Sequence, residues 1–205
     1  MAAIELERLE RRYGERVALG GVSVRVEEGQ TLAVLGGNGA GKTTLLRVLA
    51  GLLRPHGGSA RVLGAALPDE RWKLPAQVGY LGHEPLLYRE LTALENLDLF
   101  GRLYRVPERR ERSGMLLERF GLWDVRGDRV STYSRGMAQR LALCRALLHD
   151  PALLVLDEPF TALDEEGAAL LDRELAALTG ARTILLSTHD PARVTPLASH
   201  RLALA

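Results

Sequence analysis

A glycine-rich segment that ends in lysine and threonine is the part of this sequence best suited to chemistry. Residues 36–43 have the pattern Gly-x-x-x-x-Gly-Lys-Thr, between an apolar run typical of a strand and a predicted helix of about residues 42–52. Glycines let the backbone approach a ligand closely, so that its N–H groups point at phosphate oxygens, and the helix N-terminus adds its dipole. In such a loop Lys42 reaches the β- and γ-phosphates of a nucleotide, and Thr43 binds Mg²⁺. The predicted nucleotide site consists of Gly36, Gly37, Asn38, Gly39, Ala40, Gly41, Lys42, Thr43 and Thr44.

Two acidic residues, Asp157 and Glu158, follow an apolar run that reads as a buried strand. Ligands of open α/β sheets bind at the carboxyl ends of the strands. There Asp157 can hold Mg²⁺, directly or through water, and Glu158 can polarise an attacking water as general base. His189 ends the next apolar run and could approach a γ-phosphate from the same edge. The plainer alternatives are a solvated acidic turn for the pair and a helix start for His189.

The pattern of apolar runs predicts an α/β fold. The segments AIELERL, VSVRVEEGQ and TLAVLGG read as strands, and SARVLG and QVGYLG suggest a further strand pair. LTALENLDLFGRLYRV and PERRERSGMLLERFGL read as two helices with no strand between them. After residue 152 strands and helices alternate again, and the continuous runs LLVL and TILL suit a largely parallel sheet. We therefore expect a single domain, residues 1–205, with a core of 1–82 and 152–205 and a helical insertion of 83–151.

Composition and charge narrow the classes of partner. The 205 residues are 46% hydrophobic, which allows a sizeable core. The formal net charge of +1 produces too weak an electrostatic field to indicate nucleic acid or an anionic membrane as the main partner. Cys144, the single cysteine, excludes an intramolecular disulfide. The N-terminus lacks the apolar stretch of a signal peptide, and no window offers the roughly 20 apolar residues of a membrane span. We expect a cytosolic chain, or one held at a membrane through another protein.

Taken in order, these segments resemble the nucleotide-binding domain of ATP-binding cassette (ABC) proteins over essentially the whole chain. The resemblance implies a P-loop ATPase that uses ATP and Mg²⁺, with a largely parallel core sheet, an N-terminal antiparallel β part and a helical insertion. It implies that Tyr13 stacks on adenine, that His189 is the switch histidine and that residues 162–164 form a dimer-contact loop. His83 stands where many members have a glutamine that senses the metal and the attacking water. Because the charge of histidine changes near neutral pH, we expect the rate of ATP hydrolysis to depend on pH in an unusual way.

The segment YSRGM, residues 133–137, occupies the place of the family signature Leu-Ser-Gly-Gly-Gln. By resemblance, the Ser134 hydroxyl and the Gly136 N–H bind the γ-phosphate of ATP held by a second copy of the chain, which implies a head-to-tail homodimer. Tyr133, Arg135 and Met137 depart from the family pattern. The plainer alternative is that Ser134 only caps a helix.

The departures narrow the resemblance to the ATP-binding subunits of haem exporters of cytochrome c maturation. This branch implies an integral membrane permease as partner, with the chain peripheral at the cytoplasmic face of the cell membrane. It implies no nucleic acid partner, no direct haem binding, and a coupling surface near residues 83–91. Three alternatives remain open: the ATPase of another small exporter of the drug or lipid type, a cassette ATPase acting on DNA or the ribosome, and a small-molecule kinase that shares only the phosphate loop.

Overall fold

Two β-sheets and the helices around them make up residues 1–204, the part of the chain that this computed structural model describes. The strands are β1 Ala2–Tyr13, β2 Arg16–Glu27, β3 Thr31–Leu35, β4 Gly57–Val62, β5 Ala65–Leu67, β6 Val78–Leu81, β7 Leu153–Asp157, β8 Thr183–Thr188 and β9 His200–Ala203. The helices are α1 Lys42–Leu49, α2 Ala93–Leu103, α3 Arg109–Arg119, α4 Arg135–Leu147, α5 Glu165–Leu178 and α6 Pro191–Val194. Short 3₁₀ turns lie at Arg71–Lys73 and Val130–Thr132.

The first sheet is antiparallel, with the strand order β2-β1-β4-β5. Its two long strands, β1 and β2, form a hairpin that turns at Gly14, which has the positive φ of 56° that a tight turn needs. The second sheet has the order β6-β7-β8-β3-β9, and all of its pairings are parallel. Every residue of β7 and β8 is buried, which explains their continuous apolar runs. The predicted α/β fold is confirmed, including the antiparallel N-terminal part.

The prediction that SARVLG and QVGYLG pair with each other is wrong. Strand β4 pairs with β1 and β5 in the antiparallel sheet, whereas β6 pairs with β7 in the parallel sheet. The residues between them, which include β5 and a 3₁₀ turn, carry the chain from one sheet to the other. The burial patterns differ accordingly, because β4 exposes much of one face and β6 is almost wholly buried.

Helix α1 ends at Leu49, three residues before the predicted end, because Gly51 takes a left-handed φ of 73° that stops the helix. The described residues from 83 to 151 contain α2, α3 and α4 and none of the named strands. The division of the chain into a core and this helical insertion stays a prediction. No helix within residues 1–204 combines the length and the apolar character that crossing a membrane requires.

The C-terminal end of α4, with His149 just beyond it, covers one edge of the parallel sheet. Strand β6 is an edge strand, and its backbone carbonyl groups alternate between facing β7 and facing outward. The outward carbonyl of Tyr80 accepts a hydrogen bond from Arg145 Nη2 at 2.8 Å, and that of Val78 accepts one from His149 Nε2 at 3.2 Å. Burial lowers the pKa of His149, so its ring is neutral at neutral pH. On the same helix Cys144 is fully buried, and burial raises the pKa of its thiol, as expected of a packed cysteine.

Candidate nucleotide site

The phosphate loop, residues 36–41, joins the end of β3 to the start of α1. Its conformation depends on glycine. Gly41 has φ 96°, and a Cβ there would lie 2.2 Å from the backbone oxygen of Ala18 on β2. Gly36 has φ 154°, and a Cβ there would lie 2.6 Å from the backbone oxygen of Leu204. The loop therefore passes too close to neighbouring backbone for any side chain at these two positions.

Lys42, the first residue of α1, is held inside this loop. It is 7% exposed, and its Nζ donates hydrogen bonds to the carbonyl oxygens of Gly36 at 2.7 Å and Gly37 at 3.2 Å. The same Nζ lies 3.5 Å from Oε1 of Glu158. The ammonium group thus sits between the loop that would bind phosphate and the predicted general base.

Asp157 and Glu158 lie where β7 ends. Asp157 is 2% exposed, and its Oδ1 accepts a hydrogen bond from Ser187 Oγ at 2.7 Å. Its Oδ2 is buried and has no hydrogen-bond partner within residues 1–204. A buried carboxylate oxygen without a partner is costly, and a hard cation is the ligand that such an oxygen suits. The site therefore fits the predicted Mg²⁺.

The carboxylate of Glu158 contacts two other predicted site residues, Lys42 and His189. Its Oε2 lies 2.9 Å from Nδ1 of His189, while its Oε1 faces Lys42. Its backbone has φ 49°, a left-handed conformation that is uncommon outside glycine. The His189 side chain is 69% exposed and the Glu158 side chain 20% exposed. The carboxylate is thus held between a buried cation and an exposed imidazole, with a face open to a ligand.

A cleft of about 660 Å³ opens over the phosphate loop. Its lining includes these predicted residues: Tyr13, Gly37, Asn38, Gly39, Gly41, Lys42, Thr43, Thr44, His83, Glu158 and His189. Gly36 and Ala40 belong to the loop but are not in this lining. The Tyr13 ring is half exposed at the mouth of the cleft, with the Arg11 guanidinium 5.0 Å from its centroid.

Ser134 and Gly136 lie elsewhere. Ser134 is the N-cap of α4, where its Oγ accepts a hydrogen bond from the N–H of Met137 at 3.2 Å, as the cap prediction requires. Ser134 lines a second cleft of about 1280 Å³, and Glu158 and His83 line both clefts. Gly136 lies near the 162–164 segment, since a Cβ there would come 3.2 Å from the Ala162 oxygen. No residue of the phosphate loop lines this second cleft, and neither Ser134 nor Gly136 lines the first.

Sequence reasoning missed two residues of the site, Arg16 and Ser187. Arg16 lines the first cleft and donates from Nη2 to the Gly39 oxygen at 3.1 Å. Ser187 contacts both acidic residues. A polar Ser-Thr pair at the end of the apolar run before His189 was the available sign of Ser187, whereas nothing in the sequence pattern distinguished Arg16 from its neighbouring arginines.

Comparison with known proteins places this architecture in a family. A family model described as "ABC transporter" matches residues 19–161. The chain is 44% identical over 189 residues to the daunorubicin resistance ATP-binding protein DrrA3 of Streptomyces coeruleorubidus, covering 91% of this chain and 60% of the relative. It is 39% identical over 191 residues to the Nod factor export ATP-binding protein I of Paraburkholderia xenovorans, covering 92% of this chain and 63% of the relative. The chain thus spans about 60% of the length of these curated relatives.

The fold of the chain is similar to solved structures of ATP-binding cassettes. A dimeric ATP-binding cassette in a post-hydrolysis state, bound to ADP and phosphate, superposes with a TM-score of 0.87 at 27% identity, covering 98% of this chain and 94% of the other. An ATP-binding subunit of an ABC transporter gives a TM-score of 0.90 at 30% identity, covering 98% and 85%. These comparisons confirm the predicted fold, the binding of ATP and the ATPase class of the domain. The chain belongs to the ABC transporter family, as one of its ATP-binding domains.

Proposed function

We propose that this chain binds ATP in the cleft over the phosphate loop and hydrolyses it as the motor subunit of a membrane exporter. The observation that carries the proposal is the position of Glu158 between Lys42 and His189 at the wall of that cleft. A carboxylate held at the carboxyl edge of a parallel sheet, beside a phosphate loop, is placed to accept a proton from an attacking water.

Each residue of the site then has a role in the reaction. Lys42 and the N–H groups of the phosphate loop stabilise charge on the β- and γ-phosphates, and Glu158 is the general base. His189 orients Glu158 and contacts the γ-phosphate. Thr43 and Asp157 hold Mg²⁺, which when bound neutralises phosphate charge. Tyr13 stacks on adenine, which its exposed ring at the mouth of the cleft supports.

A complete site requires two copies of the chain. Ser134 and Gly136 are absent from the lining of the cleft over the phosphate loop, which supports the proposal that they bind the γ-phosphate of ATP held by a partner. The similarity to a dimeric cassette supports a head-to-tail homodimer. His83, which lines both clefts, is positioned to respond to the nucleotide on one side and to the signature segment on the other.

The names of the relatives favour a drug- or lipid-type exporter over a haem exporter. The relatives described above are named for daunorubicin resistance and for Nod factor export, and neither name supports haem export. We therefore propose an amphiphilic cargo and no direct contact of this chain with haem or nucleic acid. The chain would be peripheral at the cytoplasmic face of the membrane, bound there by an integral permease.

The coupling surface proposed for that permease lies around residues 83–91. Leu86 and Tyr88 are 48% and 55% exposed there. The fully buried side chain of Asn96 fixes the loop, because its Oδ1 accepts a hydrogen bond from the N–H of Tyr88 and its Nδ2 donates one to the Tyr88 oxygen, both at 2.9 Å. A loop that is fixed by hydrogen bonds and exposes Leu86 and Tyr88 suits contact with another protein.

Replacing the proposed base tests both hydrolysis and assembly. Glu158→Gln keeps the size of the side chain but cannot accept the proton, so ATP should stay bound and hold two copies together. With ATP and Mg²⁺, size-exclusion chromatography with light scattering should show twice the monomer mass for this variant, and phosphate release should fall at least about 100-fold. The double variant Glu158→Gln/Ser134→Ala is the control and should return to the monomer. A monomeric Glu158→Gln protein at saturating ATP would contradict the proposal.

A further inference from the structure

A single buried hydroxyl contacts both acidic residues of the site. Ser187 lies on β8 directly opposite Asp157 of β7 in the parallel register, and it is fully buried. Its Oγ donates to Oδ1 of Asp157 at 2.7 Å and accepts the backbone N–H of Glu158 at 2.9 Å. The hydroxyl thus joins the carboxylate of one residue to the backbone of the next.

The chemistry of a hydroxyl gives these contacts a direction. A serine has one hydrogen to donate, and because the Glu158 N–H can only donate, that hydrogen goes to Asp157. Oδ1 of Asp157 is therefore occupied, and Oδ2 is the oxygen that remains buried without a partner in the described chain. The hydrogen bond to the N–H also stabilises Glu158 in its left-handed φ of 49°, which aims its side chain toward Lys42 and His189.

We propose that Ser187 is a positioning residue that decides which oxygen of Asp157 faces the metal and fixes the backbone that presents Glu158. The proposal rests on the proposed function, because it assigns a role within that ATP site. Without the hydroxyl, the Asp157 carboxylate can rotate about its last side-chain bond and the N–H of Glu158 loses its acceptor. Hydrogen-bond partners that orient metal ligands typically change metal affinity about 10- to 100-fold when they are removed.

The test compares Ser187→Ala with Ser187→Thr, which keeps the hydroxyl, and with Ser113→Ala. Ser113 is a matched control: it is 2% exposed, its Oγ donates to the Arg109 oxygen at 2.6 Å, and it lies on α3 outside the site. Affinity for a non-hydrolysable ATP analogue is measured by calorimetry with Mg²⁺ and with EDTA. The electron paramagnetic resonance spectrum of bound Mn²⁺ gives a second readout that does not depend on turnover.

We expect Mg²⁺ to increase the affinity for the analogue by the same factor in the wild type and in Ser113→Ala. In Ser187→Ala this factor should be about tenfold smaller. In EDTA, all three proteins should bind the analogue with the same affinity. Ser187→Thr should restore most of the metal effect. An undiminished Mg²⁺ effect and an unaltered Mn²⁺ spectrum in Ser187→Ala would overturn the proposal while leaving the ATP site intact. Absence of analogue binding in the wild type would instead overturn the proposed function. If Ser187→Ala does not fold, Ser187→Cys replaces it, because cysteine has a similar size and forms weaker hydrogen bonds. Mg²⁺ should then increase the analogue affinity of Ser187→Cys less than that of the wild type. An equal increase in both proteins would overturn the proposal.

Discussion

Replacing Gly41 with alanine should damage both the stability of the chain and its nucleotide site. Gly41 has φ 96° and ψ 4°, and an L-residue in a left-handed conformation costs about 1–2 kcal/mol. The added Cβ would lie 2.2 Å from the backbone oxygen of Ala18, more than about 1 Å inside an ordinary van der Waals contact. Either β2 or the phosphate loop must therefore move.

The strain and the displacement together should lower the free energy of unfolding by about 2–3 kcal/mol. For a domain of this size, that corresponds to a fall in Tm of about 4–12 °C. A loop displaced by about 1 Å should also reduce the rate of hydrolysis about 100-fold. Differential scanning calorimetry of the nucleotide-free protein measures the first effect, and phosphate release measures the second.

Gly37→Ala is the matched control within the same loop. Gly37 does not have a positive φ, and an added Cβ there meets nothing within 4 Å. Its free energy of unfolding without nucleotide should stay within about 0.5 kcal/mol of the wild type. If Gly41→Ala melts at the same temperature as Gly37→Ala and the wild type, the close packing of the loop against β2 is refuted.

Two further predictions concern tyrosines. Tyr13→Ala should weaken ATP binding about tenfold and Tyr13→Trp should not, as measured by calorimetry, because stacking of a base on an aromatic ring contributes about 1–3 kcal/mol; equal affinities for all three proteins would exclude the stacking role. Burial raises the pKa of Tyr133 to about 12, and its hydroxyl donates to the Val125 oxygen at 2.7 Å. Between about pH 10 and pH 12 the unfolded chain therefore binds fewer protons than the folded chain, so stability falls as pH rises. The free energy of unfolding, measured by chemical denaturation, should fall less over this pH range in Tyr133→Phe than in the wild type. Equal falls in the two proteins would contradict the raised pKa of Tyr133.

Two parts of the site follow from the sequence: a single continuous segment, and residues that lie at the carboxyl ends of parallel strands. The phosphate loop is one continuous segment, and the carboxyl ends of parallel strands necessarily meet at one edge, so Glu158 and His189 could be expected near Lys42. The polar Ser-Thr pair before His189 was the available sign of Ser187, but its contacts depend on the register of β7 against β8, across about 30 residues of chain, which the sequence pattern does not specify.

The pairing of the strands could not be predicted from the sequence pattern either. The pattern of apolar residues identified β4 and β6 as strands, but it does not specify which strand pairs with which. The predicted pair was wrong for this reason. The end of α1 was missed because the apolar residues continue past Gly51, although that glycine already ends the helix.

The covering of β6 by α4 has a consequence for how two copies of the chain can meet. An uncovered edge strand is a template on which a strand of another molecule can add, and such edges lead to aggregation. Here Arg145 and His149 occupy the outward carbonyl groups of Tyr80 and Val78, so this edge offers no free acceptors at those two residues. In the proposed homodimer, α4 would present its N-terminal end to the partner, while Arg145 near its other end and His149 just beyond it keep a strand of the partner from pairing with β6 at Tyr80 and Val78. The proposed association would then use the clefts, where it could be reversed when the nucleotide leaves.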